Sequence, residues 1–431
     1  MTPAPVTERV SSVDALRGMS LLGILTMNIL GFSLPGAVTY NPTVMDGDSG
    51  VNLWTWFAVD VLFEGKMRAL FSMLFGASMI LMTSRSEARG GDARIADIWL
   101  RRCLWLMFIA SLHAWFLWDG DILFSYALAG LFLYPFRKLA STGLLIAGLS
   151  ALSMQLPKAW VEYNDARVQK LEWDIAREVE NTKLPLTSEL QQGKEDWEER
   201  VKANKPADEE LQKIVKRFRS GYGEIFRERA ARVPGLHSLS FYTFVFADSF
   251  GMMLIGMSLC KWEILSARRS ARFYIVLLLI GYGIGLPVRV AACLNQYYAG
   301  FDVFSALQFQ FTYEITRLLT AAGHLSVLML VCRAGIFQKL TRALSCVGQT
   351  ALTNYLLQSV LCTTLFYGYG FGWFGKLERY QLYYVVGVIW LLQLVFSSLW
   401  LSRFRFGPVE WAWRSLTYWE RQPLRSKTVL S

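Results

Sequence analysis

The sequence predicts an all-α polytopic membrane protein with about ten transmembrane helices, N-in/C-in, with both termini in the cytoplasm and one extracytoplasmic helical insertion. Of its 431 residues, 53% are hydrophobic and 18% are charged, against about 25% charged in soluble domains. The apolar residues form blocks of about 16–28, near or above the roughly 20 that cross a bilayer as a helix. This composition excludes a soluble enzyme, a disordered protein and a nucleic-acid-binding domain.

Ten candidate spans lie between charged or Gly/Pro-rich breaks. The first contains Asn28 and lacks an A-x-A cleavage site, so we interpret it as a helix rather than a signal peptide. The third, fourth and fifth are short, and the second and eighth carry charges. The spans lie near residues 16–34, 53–82, 103–118, 121–136, 139–156, 241–260, 272–292, 305–332, 343–368 and 380–401.

Loop charges predict the orientation. If the N-terminus is cytoplasmic, every short basic loop faces the same side of the membrane, as the positive-inside rule requires. The formal net charge of +10 then reflects topology rather than phosphate binding. The basic segments on that side are 84–102, 137–138, 261–273, 332–342 and 402–431.

The segment 157–240 is polar and interrupts the membrane pattern. Apolar residues recur at helical spacing in two stretches, which Pro185 and Lys205-Pro206 separate. We expect a helical hairpin on the extracytoplasmic side, which either caps the membrane core or is a solvated insertion without chemistry. The expected domains are membrane helices over 1–156, the insertion over 157–240, membrane helices over 241–401 and a basic interfacial tail over 402–431.

Ionisable side chains inside the second and eighth spans are candidate substrate-binding groups, because a charge at membrane depth is costly unless paired or hydrated. Gly65 permits a helix break within the second cluster, and broken helices occur where they face protein or a watery cavity. The alternative is a neutral ion-pair cluster that fastens helices. Asp248 and Arg289 show no obvious partner. The clusters comprise Asp60, Glu64, Lys66 and Arg68, then Glu314, Arg317 and His324, of which Glu314 and Arg317 are spaced for a local ion pair.

His113 is the candidate general base. It lies near the outer end of the third span, and Asp119 and Asp121 follow in a tight turn. A carboxylate beside an imidazole orients the ring and stabilises the imidazolium. Helical spacing alone does not bring them together, so the hairpin has to do so, and a hydrogen-bonded packing histidine is the alternative.

A polar stripe marks the ninth span, with Gln349, Thr353, Asn354 and Gln358 in GQTALTNYLLQS. Such a stripe either fastens helices or lines a substrate path. The six cysteines form no C-x-x-C pair and the histidines lie far apart, so the sequence predicts neither a metal site nor a disulfide framework.

Five motifs in order resemble the YeiB-like family of bacterial inner-membrane proteins. They are SVDALRGMSLLGILTMNILGF, FEGKMRALFSMLFG, RRCLWLMFIASLHAWFLWDGDILFSYALAG, GQTALTNYLLQS and RFRFGPVEWAWRSLTYW. The S-x-D-x-x-R-G opening is also similar to the transmembrane acyltransferase superfamily, which includes heparan-alpha-glucosaminide N-acetyltransferase and sugar O-acetyltransferases. The resemblance covers nearly the whole chain and is weakest over 157–240.

That resemblance implies transfer of an acyl group from cytoplasmic acyl-CoA to an extracytoplasmic hydroxyl or amine acceptor such as a sugar. Asp14 and Arg17 would bind substrate at the cytoplasmic end of the first helix, and Asn28 would match the motif asparagine. Either Asn28 or a backbone N–H would stabilise the oxyanion. The motif histidine is missing, since residues 29–45 contain none, so a histidine mechanism must use His113 or His324.

In this mechanism Arg17, Arg101 and Arg102 would meet the CoA phosphates. The charged groups of the second and eighth spans would hold the thioester, so that polar side chains from separate segments line one chamber onto which His113 opens. The tail at 403–418 is either an interfacial anchor or a grip on the adenine nucleotide. A small-molecule transporter and a non-catalytic membrane scaffold or sensor are the competing functions.

Overall fold

The computed structural model describes residues 11–88, 94–236 and 239–425. Within these ranges the regular elements are helices, apart from one isolated bridge between Phe404 and Arg425. The first nine helices are α1 (Ser11–Ser33), α2 (Ala37–Tyr40), α3 (Gly50–Leu62), α4 (Lys66–Ala88), α5 (Ile95–Phe116), α6 (Leu123–Phe132), α7 (Ser141–Ser153), α8 (Gln155–Asn181) and α9 (Ser188–Asn204).

The remaining helices complete the bundle. They are α10 (Asp208–Phe218), α11 (Tyr222–Leu236), α12 (Leu239–Lys261), α13 (Ala271–Tyr298), α14 (Val303–Ala334), α15 (Gln338–Gln349), α16 (Ala351–Phe366), α17 (Arg379–Arg403) and α18 (Pro408–Tyr418).

Six helical segments in the described part of the chain are long and apolar enough to cross a membrane. They are 11–33, 50–88, 141–181, 271–298, 303–334 and 379–403. The all-α polytopic membrane fold predicted from the sequence is therefore confirmed. The other four predicted spans correspond to α5, α6, α12 and α15–α16; because α6 has only ten residues and α15–α16 breaks at Thr350, the count of ten stays a prediction.

The helix of the second span breaks at Gly65, as the sequence predicts. Gly65 separates α3 from α4 with a φ of +71°, a conformation that side-chain-bearing residues rarely adopt. The end of α3 leaves carbonyl groups without helical partners, and the buried Lys66 ammonium donates to the Asp60 carbonyl oxygen at 2.6 Å. The break thus places a cation inside the bundle with a defined backbone partner.

Two glycines bring α1 and α15 into backbone contact. A Cβ on Gly348 would lie 1.9 Å from the Asp14 carbonyl oxygen, and one on Gly18 would lie 2.0 Å from that of Leu344. Small residues at helix crossings permit this close packing in membrane proteins. The contact fixes the start of α1 against the segment that leads into α16.

The insertion contains four helices, α8 to α11, so the predicted hairpin is wrong. Pro185 and Lys205-Pro206 do lie in the connections between helices, as predicted. However, α8 continues almost directly from α7, and a further connection separates α10 from α11. The α10–α11 pair covers one end of the bundle, where Phe218 stacks on Phe374 with ring centroids 4.5 Å apart. We call this the capped end.

The opposite end, called the basic end here, gathers the start of α1, the start of α5 and the tail helix α18. Ser12 Oγ donates to the Leu265 carbonyl oxygen at 2.9 Å, and Trp413 Nε1 donates to that of Arg102 at 2.9 Å. The positive-inside rule assigns this end to the cytoplasm, which stays a prediction. Residues 89–93 and 426–431 of the predicted basic segments lie outside the described residues, as do residues 1–10 at the start of the chain and 237–238 of the insertion.

Candidate functional site

His113 lies at the centre of a buried hydrogen-bonded chain. Its Nδ1 is 2.9 Å from Asp121 Oδ1, and its Nε2 is 2.8 Å from Ser359 Oγ on α16. His113 is 2% exposed and Ser359 is 1% exposed. The turn between α5 and α6 therefore brings the imidazole and a carboxylate together, as the predicted mechanism requires. The distances fit a serine hydroxyl that donates to the ring and a ring that donates to the carboxylate.

Asp121 is fixed from several directions. Its Oδ2 accepts the Phe124 amide hydrogen at 2.8 Å, which satisfies a free donor in the first turn of α6. The Tyr355 hydroxyl lies 3.5 Å from Oδ1 and accepts the Ile122 amide hydrogen at 3.3 Å. A carboxylate held in this way keeps the His113 ring in one orientation.

Asp119 does not share this role, although the sequence left both carboxylates open. It forms an ion pair with Arg232 of α11 at the capped end. The two side chains diverge, with Asp119 facing the insertion and Asp121 facing the interior of the bundle. Of the two carboxylates, it is Asp121 that contacts His113.

A cavity of about 250 Å³ opens at the basic end. Helices α1, α4, α5, α6, α15, α16 and α18 contribute to its walls. Its charged side chains are four arginines and two carboxylates: Arg17, Arg85, Arg102, Arg414, Asp14 and Glu410. The excess of guanidinium groups suits a polyanionic ligand, since arginine binds phosphate in a bidentate manner.

The arginines of the cavity are held in place by aromatic and acidic neighbours. The Arg102 guanidinium carbon lies 4.2 Å from the centroid of the Trp413 ring, and Arg17 Nη1 donates to Asp14 Oδ1 at 2.8 Å. Burial raises the pKa of Glu410 and lowers the pKa of Arg414, because both charged forms lose hydration. Arg101 points elsewhere and pairs with Asp97 at 2.6 Å, so the predicted pair Arg101/Arg102 is split.

Two tyrosines close the inner end of the cavity. Tyr126 accepts from Ser72 Oγ at 2.6 Å and donates to the Arg68 carbonyl oxygen at 3.1 Å. Tyr355 lines the cavity, and its ring centroid is 5.3 Å from that of His113. His113 therefore lies directly behind Tyr355, and the expectation that it opens onto the chamber is wrong for this conformation.

The buried charges of the second and eighth spans form a separate cluster on the other side of Tyr126. Arg289 binds Asp60 through two hydrogen bonds of 2.7 and 2.9 Å, and Arg317 pairs with Asp248 and, at 2.5 Å, with Glu314. Asp248 and Arg289 thus have partners that the sequence did not reveal. The cluster contains four acidic and four basic side chains: Asp60, Glu64, Asp248, Glu314, Lys66, Arg68, Arg289 and Arg317.

This charge cluster is contiguous but does not line the cavity at the basic end. The Tyr313 hydroxyl donates to Glu64 Oε1 at 3.1 Å and so links its two halves. The Arg68 side chain is 39% exposed and lies 3.5 Å from Asp248. The predicted single chamber is therefore wrong, because the charge cluster is a set of ion pairs apart from the cavity, and Tyr126 lies between the two with its hydroxyl on the Arg68 carbonyl oxygen.

The other predicted binding residues have packing partners. His324 bonds to the Tyr282 hydroxyl at 2.6 Å and to the Leu62 carbonyl oxygen at 2.7 Å, next to the break after α3. Asn354 donates to Ser397 Oγ at 2.8 Å, and Gln358 donates to Gln393 Oε1 at 3.0 Å, both between α16 and α17. These contacts favour the helix-fastening alternative for Asn354 and Gln358, whereas Gln349 of the same stripe lines the cavity.

Asn28 is half-buried on α1, and within the described residues its amide has no hydrogen bond. Sequence reasoning missed Ser359, Tyr355, Glu410 and Arg85. The polar stripe gave a signal for Ser359, since it follows Gln358 directly, but its partner on α5 is 246 positions away.

Among the described residues, no group of three or more His, Cys, Asp or Glu is arranged to hold a metal ion. The candidate site has three parts: the hydrogen-bonded chain of Asp121, His113 and Ser359 (the His113 chain), the cavity at the basic end and the charge cluster.

Comparisons with known proteins identify relatives over the full length. A family model described as "Protein of unknown function (DUF418)" matches residues 259–420. The chain is 30% identical to "Uncharacterized protein YeiB" of Escherichia coli over 98% of this chain and 99% of the relative, and 29% identical to "Uncharacterized protein YxaH" of Bacillus subtilis over 99% of both. No solved structure matches the chain. The matched family region includes Ser359 and Glu410, whereas only the full-length relatives extend over His113 and Asp121.

Proposed function

Since the chain belongs to the YeiB-like family of multi-pass membrane proteins, we propose that it is an acyltransferase that moves an acyl group from cytoplasmic acyl-CoA to an acceptor on the far side of the membrane. The observation that carries the proposal is the position of the His113–Asp121 pair directly behind an arginine-lined cavity. Its bacterial relatives support placing it in the bacterial inner membrane.

The cavity supports the donor half of the proposal. Arg102 and Arg414 lie in the cavity wall beside Trp413, where guanidinium groups can meet phosphates and an indole can stack on adenine. Arg102 and His113 are eleven residues apart on α5, which is about 16 Å along a helix. A donor with an extended chain between its phosphates and its thioester spans such a distance.

The His113 chain supports the chemical half. His113 would take the proton from the acceptor hydroxyl or amine, and Asp121, 2.9 Å away, would stabilise the imidazolium. The Asn28 amide is the candidate donor for the tetrahedral oxyanion. Acid–base catalysis by a positioned side chain contributes roughly 10²–10⁴-fold to a rate.

The charge cluster supports a polar route for the acceptor. Arg68 is partly exposed, while its carbonyl oxygen accepts from Tyr126 at the inner end of the cavity. An acceptor with hydroxyl or amine groups, such as a sugar, can replace the water around such side chains. The route of the acceptor through the charge cluster and the cavity for the donor would thus meet near Tyr126 and Tyr355.

Titration of the purified protein with acetyl-CoA tests the donor site. Wild type should bind saturably, and Arg414→Gln should weaken binding by roughly tenfold, the worth of one charge-assisted hydrogen bond. Arg137→Gln is the matched control, because Arg137 lies at the same end but stacks on Tyr134 outside the cavity. Binding that is absent in wild type, or equal losses in both variants, would contradict the proposal.

A small-molecule transporter is the second candidate, favoured by the break between α3 and α4 and by the partly exposed Arg68. It predicts uptake of a polar solute into vesicles without CoA, and loss of that uptake in Asp248→Asn. The acyltransferase predicts no uptake in either protein.

A further inference from the structure

We infer that Ser359 is a covalent nucleophile, which takes the acyl group from the thioester before the acceptor receives it. This inference rests on the proposed acyl transfer and deepens it, because it replaces direct transfer by a two-step route through an acyl-enzyme.

Ser359 bonds to an imidazole, whereas Ser12, Ser258 and Ser72 bond to backbone carbonyl or tyrosine oxygens of other elements and several other buried serines bond within their own helix. Ser20, Ser33 and Ser326 each donate to the carbonyl oxygen four residues earlier, at 2.7, 2.6 and 2.8 Å. This is the usual partner of a serine inside a helix. The partner of Ser359 is His113 Nε2 instead, at 2.8 Å.

The three side chains have the order of a nucleophile, a base and an orienting carboxylate. Ser359 contacts Nε2, and Asp121 contacts Nδ1 at 2.9 Å. The carboxylate fixes the tautomer in which Nε2 is free to accept the serine proton. Such chains activate a hydroxyl that is otherwise a weak nucleophile, and they are recognised by geometry rather than by fold.

Tyr355 lies one helical turn before Ser359, so both side chains project from the same side of α16. It lines the cavity and separates Ser359 from it. Its hydroxyl has only long contacts, 3.5 Å to Asp121 and 3.3 Å to the Ile122 amide. An entering thioester that displaces the phenol therefore breaks only long hydrogen bonds, although the buried ring must also leave its packing against His113, and its return would shield the ester from water.

The two steps balance. Ser359 Oγ attacks the thioester carbonyl carbon while its proton moves to His113 Nε2; the C–S bond then breaks and the sulfur leaves with that proton as free CoA. An acceptor hydroxyl or amine next attacks the serine ester and gives its proton to Nε2. The ester C–O bond breaks, and Ser359 Oγ recovers the proton. The step needs no oxidant, reductant or further reactant.

The test traps the intermediate. Purified full-length protein is incubated with acetyl-CoA, quenched in acid and digested, and peptides are searched for an acetyl ester on Ser359. Wild type should carry this ester, and His113→Ala should lower its rate of formation by roughly 10²–10⁴-fold. Ser326→Ala is the matched control, since Ser326 is fully buried but bonds only within its own helix. Ser359→Cys retains a nucleophile and should carry a thioester at this position.

Transfer that persists in Ser359→Ala without any adduct in wild type would overturn the inference and leave the proposed acyltransferase intact. If wild type does not consume acetyl-CoA, the proposed function fails. Reaction with a fluorophosphonate probe then tests, independently of acetyl-CoA, whether Ser359 is an activated nucleophile. Labelling of Ser359 that requires His113 supports an activated serine, and no labelling overturns it. Thermal unfolding of each variant separates these outcomes from loss of the fold.

Discussion

Replacing Asp121 by asparagine isolates the role of the carboxylate that orients His113. The substitution keeps the size of the side chain and an oxygen that accepts from the Phe124 amide, so the first turn of α6 retains its partner. It removes the negative charge 2.9 Å from Nδ1. A hydrogen bond to a charged group is worth about 1.5–3 kcal/mol.

That energy sets the expected loss of activity. At 1.36 kcal/mol per tenfold, loss of imidazolium stabilisation alone lowers kcat by about 10- to 150-fold. An asparagine NH₂ facing Nδ1 also favours the wrong tautomer, which extends the loss towards roughly 10⁴-fold. KM for the acyl donor should stay unchanged, because Asp121 lies behind Tyr355 and away from the cavity.

The assay is the release of free CoA from acetyl-CoA by protein in liposomes, followed as a function of donor concentration. Asp119→Asn is the matched control: it is two positions away and loses its pair with Arg232, whose side chain is 47% exposed. The Asp119 carboxylate, 9% exposed, bonds to Arg232 rather than to His113, so kcat should change by less than about twofold even where the lost ion pair lowers stability. A larger loss in Asp119→Asn than in Asp121→Asn would refute the assignment of the orienting carboxylate.

Three further predictions concern packing, the charge cluster and access to the site. Gly348→Leu should prevent the contact with Asp14 and reduce folded yield in detergent, whereas Gly283→Leu, which meets nothing within 4 Å, should not. Arg289→Met should lower the free energy of unfolding by about 3–5 kcal/mol by leaving Asp60 without its partner; equal chemical denaturation curves would contradict this. Tyr355→Ala should raise the ratio of thioester hydrolysis to acyl transfer by admitting water to His113, and an unchanged ratio would argue against a shielding role.

Local patterns predicted the membrane fold because apolar length and composition act within single helices. The break at Gly65 and the Glu314–Arg317 pair were equally predictable, since each depends on neighbours within one turn or one kink. The insertion was harder, because two stretches of helical spacing do not reveal that a further helix begins at Tyr222 after α10.

The functional geometry depends on contacts between distant segments. Ser359 and His113 are 246 positions apart, and Arg289 and Asp60 are 229 apart, so no spacing rule connects them. The prediction of a single chamber was wrong for the same reason, because the sequence does not show that Tyr126 lies between the cavity and the charge cluster. For the tail, the sequence left an interfacial anchor and a nucleotide-binding role open. Helix α18 contributes Arg414 to the cavity wall, which is the position that a nucleotide-binding role requires.

Thioester consumption by wild type and His113→Ala, compared at a donor concentration that saturates both proteins, measures the role of the imidazole most directly. If this histidine is the base, the variant should still bind acetyl-CoA but release CoA about 10²–10⁴ times more slowly. Equal rates in the two proteins, at equal occupancy of the donor site, would contradict His113 as the general base.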